Sequence, residues 1–234
     1  MGVMRFGIIS AGEGSRLAVE GFSHRKPLVP IGGIPMIERL ARIFLGCGAE
    51  RIAVIVNENN SETVDFLERL STEIPVDLVV KSTPTPMHSL MELAPYLGQD
   101  RFCVTTVDTV FPESRFRAMM DEFAGTPFDG LMGVTSYIDD EKPLYVNVDS
   151  DMMISGFLDD RADCRYVSAG IYALKVQALE VLKDCVRSGQ TRMRYFQRQL
   201  LESGLRLKAF DMGRVVDVDH VNDIVKAQQI ALQQ

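Results

Sequence analysis

Four side chains of this 234-residue chain could act together on a phosphate: Arg16, Lys26, Asp108 and one of Asp217 and Asp219. Arg16 closes the run Ala11-Gly12-Glu13-Gly14-Ser15-Arg16, which follows directly on the apolar stretch RFGIIS at 5–10. Gly12 and Gly14 can take backbone angles closed to other residues and let a large anion approach main-chain N–H groups. Ser15 can donate or cap, and Arg16 offers a fork of donors. Lys26, in RKPLVPIGG, is a second cation near enough in sequence to fold back over the same pocket. The same letters also suit a plain tight turn. Neither the GxGxxG dinucleotide fingerprint nor the GxxxxGKS/T phosphate loop is present.

Asp108 ends the run RFCVTTV at 101–107. A carboxylate at the carboxyl end of a central strand can hold a hard divalent ion against a phosphate, or it can cap the following turn. The segment VVDVD at 215–219 supplies two more carboxylates. Alternate residues of an extended segment point to opposite sides, so one of Asp217 and Asp219 can share a metal with Asp108 while the other caps the final helix.

These residues need elements to carry them to one place, and the apolar pattern predicts such elements. Strands are expected at 5–10, 51–57, 76–80 and 101–107, and the nearly continuous apolar run of 51–57 has the pattern of a parallel strand covered on both faces. Helices are expected at 35–45, 62–70, about 89–97 and 114–124. This alternation describes an open, mostly parallel sheet with helices on both faces, where ligands sit beyond the carboxyl ends of strands. The polar, proline-broken loop 81–88 reaches the same edge and can line a base pocket with Ser82, Thr83 and Thr85, with Ser89 following. Further on come a strand at 129–137, a hairpin of 145–149 with 152–159, and a strand within 163–174. In that last strand Ala169 and Gly170 leave room for a ligand or for a crowded crossing. Helices at 174–186 and 193–201 flank the basic stretch SGQTRMR at 188–194, expected to be a mobile rim, and offer apolar surface for a homodimer. A strand at 205–210 and a helix from about 222 close the chain, which reads as a single domain over 1–234.

The formal charge of −7 argues against a protein that coats nucleic acid through a general positive field, while a local cluster of Arg16, Arg25 and Lys26 still suits a small anion. The longest apolar stretches fall short of the roughly 18 residues of a membrane span. MGVMRFGIIS has a single basic residue and enters the fold directly, so neither a leader nor an anchor is expected and the cytoplasm is the default location. The four cysteines are far apart and lie in mostly apolar surroundings, which predicts buried, reduced thiols. No CxxC or HxxxH pair suggests zinc.

Several of these stretches also occur in the order found in one superfamily. AGEGSRL (11–17) is similar to an AxGxGxRL/M loop, KPLVPIGGIPMI (26–37) to a KPLxxxxGxPxI segment, and VDTVF (107–111) to a strand-end Asp motif. SAGIYAL (168–174) resembles a NAGIY segment, and VVDVDHVNDI (215–224) an xxDxxTPEDL element. The chain thus resembles the NDP-sugar pyrophosphorylase-like nucleotidyltransferases, which join an NTP to a phosphate monoester and release pyrophosphate. The resemblance implies a three-layer α/β/α Rossmann-like nucleotidyltransferase fold with a mixed, mainly parallel sheet, residues 1–112 handling the nucleotide and 113–234 the acceptor. It implies that Ala11, Gly12, Glu13, Gly14, Ser15 and Arg16 wrap the triphosphate and that Lys26 touches the α-phosphate or the incoming phosphate. Asp108 and Asp217 would then hold Mg²⁺. Ser82, Thr83 and Ser89 fall on the nucleotide side, and Ser168, Gly170 and Arg194 on the acceptor side. The implied partners are an NTP (UTP, CTP, GTP or dTTP) and a small phosphorylated acceptor, in a pathway toward nucleotide sugars or cell-envelope polysaccharide, with no nucleic acid and no membrane.

The chain departs from that pattern in places. Ser168 stands where many sugar-using members have Asn, Val218-Asp219-His220 replaces the usual residues after the metal Asp, and Glu141-Lys142-Pro143 lies too far ahead of GIY to take the role of the superfamily's EKP motif. The acceptor therefore remains open among hexose 1-phosphates, other sugar phosphates, alditol phosphates and phosphocholine. Two further readings are a molybdenum-cofactor guanylyltransferase, whose GGxSxRMGxDK pattern is not met, and a non-catalytic nucleotide-binding regulatory domain.

Overall fold

In the computed structural model the strands and helices follow the apolar pattern closely; residues 4–12, 14–139 and 142–232 are described. The first half runs β1 (Met4–Ser10), α1 (Ser15–Val19), β2 (Pro30–Ile31), β3 (Ile34–Pro35), α2 (Met36–Gly46), β4 (Ile52–Val56), α3 (Ser61–Leu70), β5 (Val76–Val80), α4 (Pro86–Leu97), β6 (Arg101–Thr106), β7 (Thr109–Val110) and α5 (Glu113–Gly125). The second half adds β8 (Gly130–Thr135), β9 (Tyr145–Val148), β10 (Ile154–Leu158), β11 (Tyr166–Lys175), α6 (Ala178–Arg187), α7 (Met193–Glu202), β12 (Leu207–Asp211), β13 (Val216–Asp217) and α8 (Val221–Ala231).

One mixed sheet carries the site, in the order β10-β9-β11-β6-β1-β4-β5, with β8 also paired to β11 and β12 to β8. β6, β1, β4 and β5 are mutually parallel, and β12 is parallel to β8. β11 runs antiparallel to β6 and to β8. Because β11 is reversed, its amino-terminal half lies at the same sheet edge as the carboxyl ends of β1, β4, β5, β6 and β8. That edge gathers Ala11, Asn57, Ser82, Asp108, Thr135 and Ser168 from six separate stretches.

Apolar residues cover both faces of the sheet. Phe6 and Ile8 of β1 point toward α2, α3 and α5, where the rings of Phe6, Phe44, Phe116 and Phe111 follow one another at 4.9, 5.3 and 5.0 Å. Ile9 and Ala11 point to the opposite face, among Leu90, Leu93 and Leu97 of α4. Alternation along a single buried strand thus joins both layers, and a central strand buried on both sides is apolar at nearly every position.

Three expectations need correction. The helix expected from Ser89 begins at Pro86, because proline tolerates the first helical turn and the Thr85 hydroxyl accepts from the His88 N–H. The strand expected to end at 174 continues to Lys175 and α6 starts only at Ala178. The apolar faces of α6 and α7, expected to serve a dimer, are covered by this chain itself: Leu179, Leu182, Phe196 and Leu200 are buried. The four cysteines are free, as expected, and three of them are buried. Among the described residues no helix is long and apolar enough to cross a membrane.

Candidate active site

β1 delivers the glycine loop to the sheet edge, and its two glycines do different work. Gly14 has φ +62°, in the left-handed region, and a Cβ there would stand 2.8 Å from Cβ of Lys26. Glycine is required at that position by the protein itself. A Cβ on Gly12 would meet nothing within 4 Å, so Gly12 leaves open space in front of the loop. Glu13 and the side chain of Ser15 lie outside the described residues. Asn57, at the end of β4, braces the loop from behind: its Nδ2 donates to the Ala11 carbonyl at 3.1 Å, while its Oδ1 accepts from Ser82 Oγ at 3.0 Å and from the Asn59 N–H at 2.9 Å. Ser82 is thereby tied to the glycine loop. Thr83 and Ser89 pair with each other at 2.6 Å.

Facing this loop, β7 and β13 form a two-stranded ribbon in which Thr109 sits opposite Asp217, and Val218 N–H donates to the Asp108 carbonyl at 3.0 Å. The ribbon brings Asp108, Asp217 and Asp219 together with the two cations. Lys26 Nζ lies 2.5 Å from Asp108 Oδ2 and 2.6 Å from Asp219 Oδ1, and Arg16 Nη1 is 2.7 Å from Asp219 Oδ2. Burial opposes the charge on Lys26, yet Asp108 and Asp219 outweigh it and hold the lysine above its ordinary pKa. Asp217 faces the cleft but has protein packed around its other sides. Burial, the charge of Asp108 and that of Asp219 push it up to about 7, against the hydrogen bond from Thr109 Oγ1 at 2.9 Å and the charge of Lys26. Crowded carboxylates of this kind are a place where added positive charge is favourable.

The donor set of Asp108 and Asp217 is all oxygen, which suits a hard cation such as Mg²⁺. Among the described residues no three acidic, histidine or cysteine side chains gather as a metal-holding group. The residues present therefore fit a Mg²⁺ whose remaining oxygens come from water and substrate phosphates. Asp219 does not cap the final helix as expected, because the two cations engage its carboxylate. The amino terminus of α8 is closed instead by Asp223, which accepts from the His220 N–H at 2.8 Å, and by Glu20, which accepts from the Val221 N–H at 2.8 Å.

Beyond the carboxylates opens a cleft of about 420 Å³ lined by Thr135, Tyr137, Lys142, Ser168, Lys226 and others. Ser168 and Gly170 lie on β11 where its pairing with β8 slips between Ser168 and Tyr172. A bulge of this kind re-aims side chains. Gly170 has φ +69°, and a Cβ there would come within 3.4 Å of Thr109 Oγ1, so this glycine shapes the backbone beside the hydroxyl that holds Asp217. Arg194 closes the stretch 188–194 expected to be a mobile rim, but it and Met193 stand in regular helix at the amino terminus of α7. It reaches Asp159 at 2.5 Å and donates to the Lys142 carbonyl at 3.1 Å, bracing the cleft wall. Glu141 lies outside the described residues.

The structure thus brings together Gly12, Gly14, Arg16, Lys26, Asp108 and Asp217. Sequence reasoning did not select Asn57, Thr109, Gln197 or Lys226 as site residues. Only Asn57 carried a signal, as a polar residue directly after an apolar strand.

The sheet order and the residues at its carboxyl edge place the molecule among α/β nucleotidyltransferases. The family follows from the sequence: the model of the MobA-like NTP transferase domain matches residues 7–174, and the chain belongs to that family. It is 24% identical over 227 residues to the bifunctional protein GlmU of Methanococcus maripaludis, a match covering 94% of this chain and 52% of that protein. The chain therefore spans about half the length of that relative. The inositol-1-phosphate CTP transferase from T. maritima superposes with a TM-score of 0.81 at 19% identity, over 98% of this chain and 96% of that one. A UDP-glucose pyrophosphorylase complexed with UDP-glucose gives 0.79 at 14% identity, over 99% of both chains. At these identities the superpositions establish a common fold.

Proposed function

We propose that the protein transfers a nucleotidyl group from an NTP to a sugar phosphate or similar phosphate monoester, releasing pyrophosphate. The observation that carries this reading is the meeting of Lys26 with Asp108 and Asp219 beside the glycine loop, at the mouth of the polar cleft. Residues 1–112 hold the NTP and 113–234 hold the acceptor, within one domain. Main-chain N–H groups from 11–15 and the guanidinium of Arg16 grip the triphosphate. Lys26 exchanges a carboxylate partner for an oxygen of the α-phosphate. Asp108 and Asp217 hold Mg²⁺, which when bound neutralises charge on the phosphates. Ser82, Thr83 and Ser89 border the base. The acceptor phosphate is already anionic, so the site needs to position it and screen its charge more than to deprotonate it. His220 also lines the cleft, with its Nδ1 engaged by Glu20. The reaction suits the cytoplasm, where NTPs are made, and a route to nucleotide sugars.

The test is pyrophosphate release with Mg²⁺, each of UTP, CTP, GTP and dTTP, and a panel of glucose 1-phosphate, inositol 1-phosphate, glycerol 3-phosphate and phosphocholine. At least one pair should turn over. Asp108→Asn should lower that turnover by about 10³-fold while NTP still binds. A folded protein that is silent across the panel would refute the reading.

A further inference from the structure

Behind the wall of the acceptor cleft, three neutral polar groups meet in otherwise apolar surroundings. Gln197 of α7 is 3% exposed and Tyr172 of β11 6%, and both pack beneath Ser168, which lines the cleft. Ser168 Oγ donates to Gln197 Oε1 at 2.9 Å, and Gln197 Nε2 donates to the Tyr172 hydroxyl at 3.3 Å. The three groups form a short chain, with Gln197 between Ser168 and Tyr172. Burial pushes Tyr172 up to about 12, so it keeps its proton.

The Gln197 amide stands between the two hydroxyls with its oxygen toward Ser168 and its nitrogen toward Tyr172. The bond to Gln197 consumes the single hydrogen of Ser168, since a hydroxyl has one hydrogen and two lone pairs. Lone pairs alone are left for the cleft.

We propose that Gln197 and Tyr172 are positioning residues that make Ser168 an acceptor-only contact, so that the cleft selects phosphate monoesters bringing an O–H or N–H donor to this wall. A hydroxylated phosphate meets that demand. The quaternary ammonium of phosphocholine has no such hydrogen. The inference rests on the acceptor role of the cleft given above and adds which hydrogen-bond polarity it reads. A site built around one hydrogen bond discriminates strongly against a ligand that leaves its buried partner unpaired.

Calorimetric titration of the protein with Mg²⁺ tests it, using inositol 1-phosphate, glucose 1-phosphate and glycerol 3-phosphate, their singly deoxy and deoxyfluoro analogues, and phosphocholine. Fluorine can accept but cannot donate. One hydroxyl position should therefore lose about ten-fold in affinity equally on deoxy and on fluoro replacement, and phosphocholine should bind more weakly than the best hydroxylated probe. Ser168→Ala should abolish the difference between hydroxyl and fluoro at that position. Gln197→Met, which frees the serine hydrogen, should let the fluoro analogue recover, and Gln197→Leu serves the same purpose if Gln197→Met does not fold. A fluoro analogue bound as well as the hydroxyl, an unchanged penalty in Ser168→Ala, phosphocholine bound as tightly as the best hydroxylated probe, or no binding by any hydroxylated probe would overturn the proposal. Pyrophosphate release in the same samples separates the two readings. The expected binding pattern without release would refute nucleotidyl transfer and keep the Ser168 assignment, and release without hydroxyl dependence would do the reverse.

Discussion

The proposed phosphate end and the proposed acceptor end of this cleft share one sheet edge but are built in different ways. The phosphate end is largely backbone and short segments: a glycine loop straight off β1, Lys26 ten residues after the loop's Arg16, and Asp108 directly off β6. The acceptor end is made of side chains from elements that meet only in three dimensions, with Thr135 from β8, Ser168 from β11, Gln197 from α7 and Lys226 from α8. A triphosphate presents repeated, similar charges, which main-chain N–H groups and fixed cations serve whatever side chains surround them. An acceptor must be told from its analogues, and only placed side chains can do that. The same scaffold can therefore keep the first end and vary the second.

This contrast can be broken by substitution, and after Asp108→Asn the largest effect should fall on Lys26. Lys26→Ala removes the cation between Asp108 and Asp219, leaves three carboxylates facing one another, and should lower turnover by about 10²–10³-fold. Steady-state kinetics should show the loss mainly in kcat. If acceptor KM alone changed, Lys26 would belong to the acceptor end.

A smaller effect separates the two glycines. Gly14→Ala places a Cβ against Lys26 in a left-handed backbone and should cost about 1–3 kcal/mol of stability by denaturant unfolding, together with activity. Gly12→Ala meets no protein atom, so its stability should stay within about 0.5 kcal/mol of the parent while NTP binding weakens. Equal destabilisation by both would show that the loop is only a turn.

The smallest expected effect is at Thr109. Thr109→Val deletes the hydrogen bond to Asp217 and should lower stability by about 1 kcal/mol, with a several-fold loss of activity, because the carboxylate keeps its place in the ribbon but not its orientation. Activity lost to the extent seen in Asp108→Asn would make Thr109 a direct participant.

The same contrast explains what the sequence discloses. β1 with its loop, Lys26 and Asp108 are legible because apolar strands ending in glycine or aspartate carry local signals. The parallel core of the sheet is legible because buried strands are apolar throughout. The link between Arg16 and Asp219 is not, since it joins residues 203 positions apart and depends on β13 pairing with β7. Asp217 and Asp219 could be seen to diverge, but their separate partners, Thr109 for one and two cations for the other, required the ribbon. Gln197 reads in sequence as a polar helix residue, and nothing local shows that it turns inward onto Ser168. The start of α4 was hidden because prolines at 84 and 86 suggest a broken loop, whereas Pro86 opens a helix.

The central claim is transfer of the nucleotidyl group itself, and isotopic labelling of the NTP tests it most directly. With Mg²⁺ and an accepted phosphate monoester, label at the α-phosphorus should appear in the nucleotide-linked product, and label at the γ-phosphorus should leave entirely as pyrophosphate. Label from the γ-phosphorus appearing in the acceptor or as free orthophosphate would contradict the account.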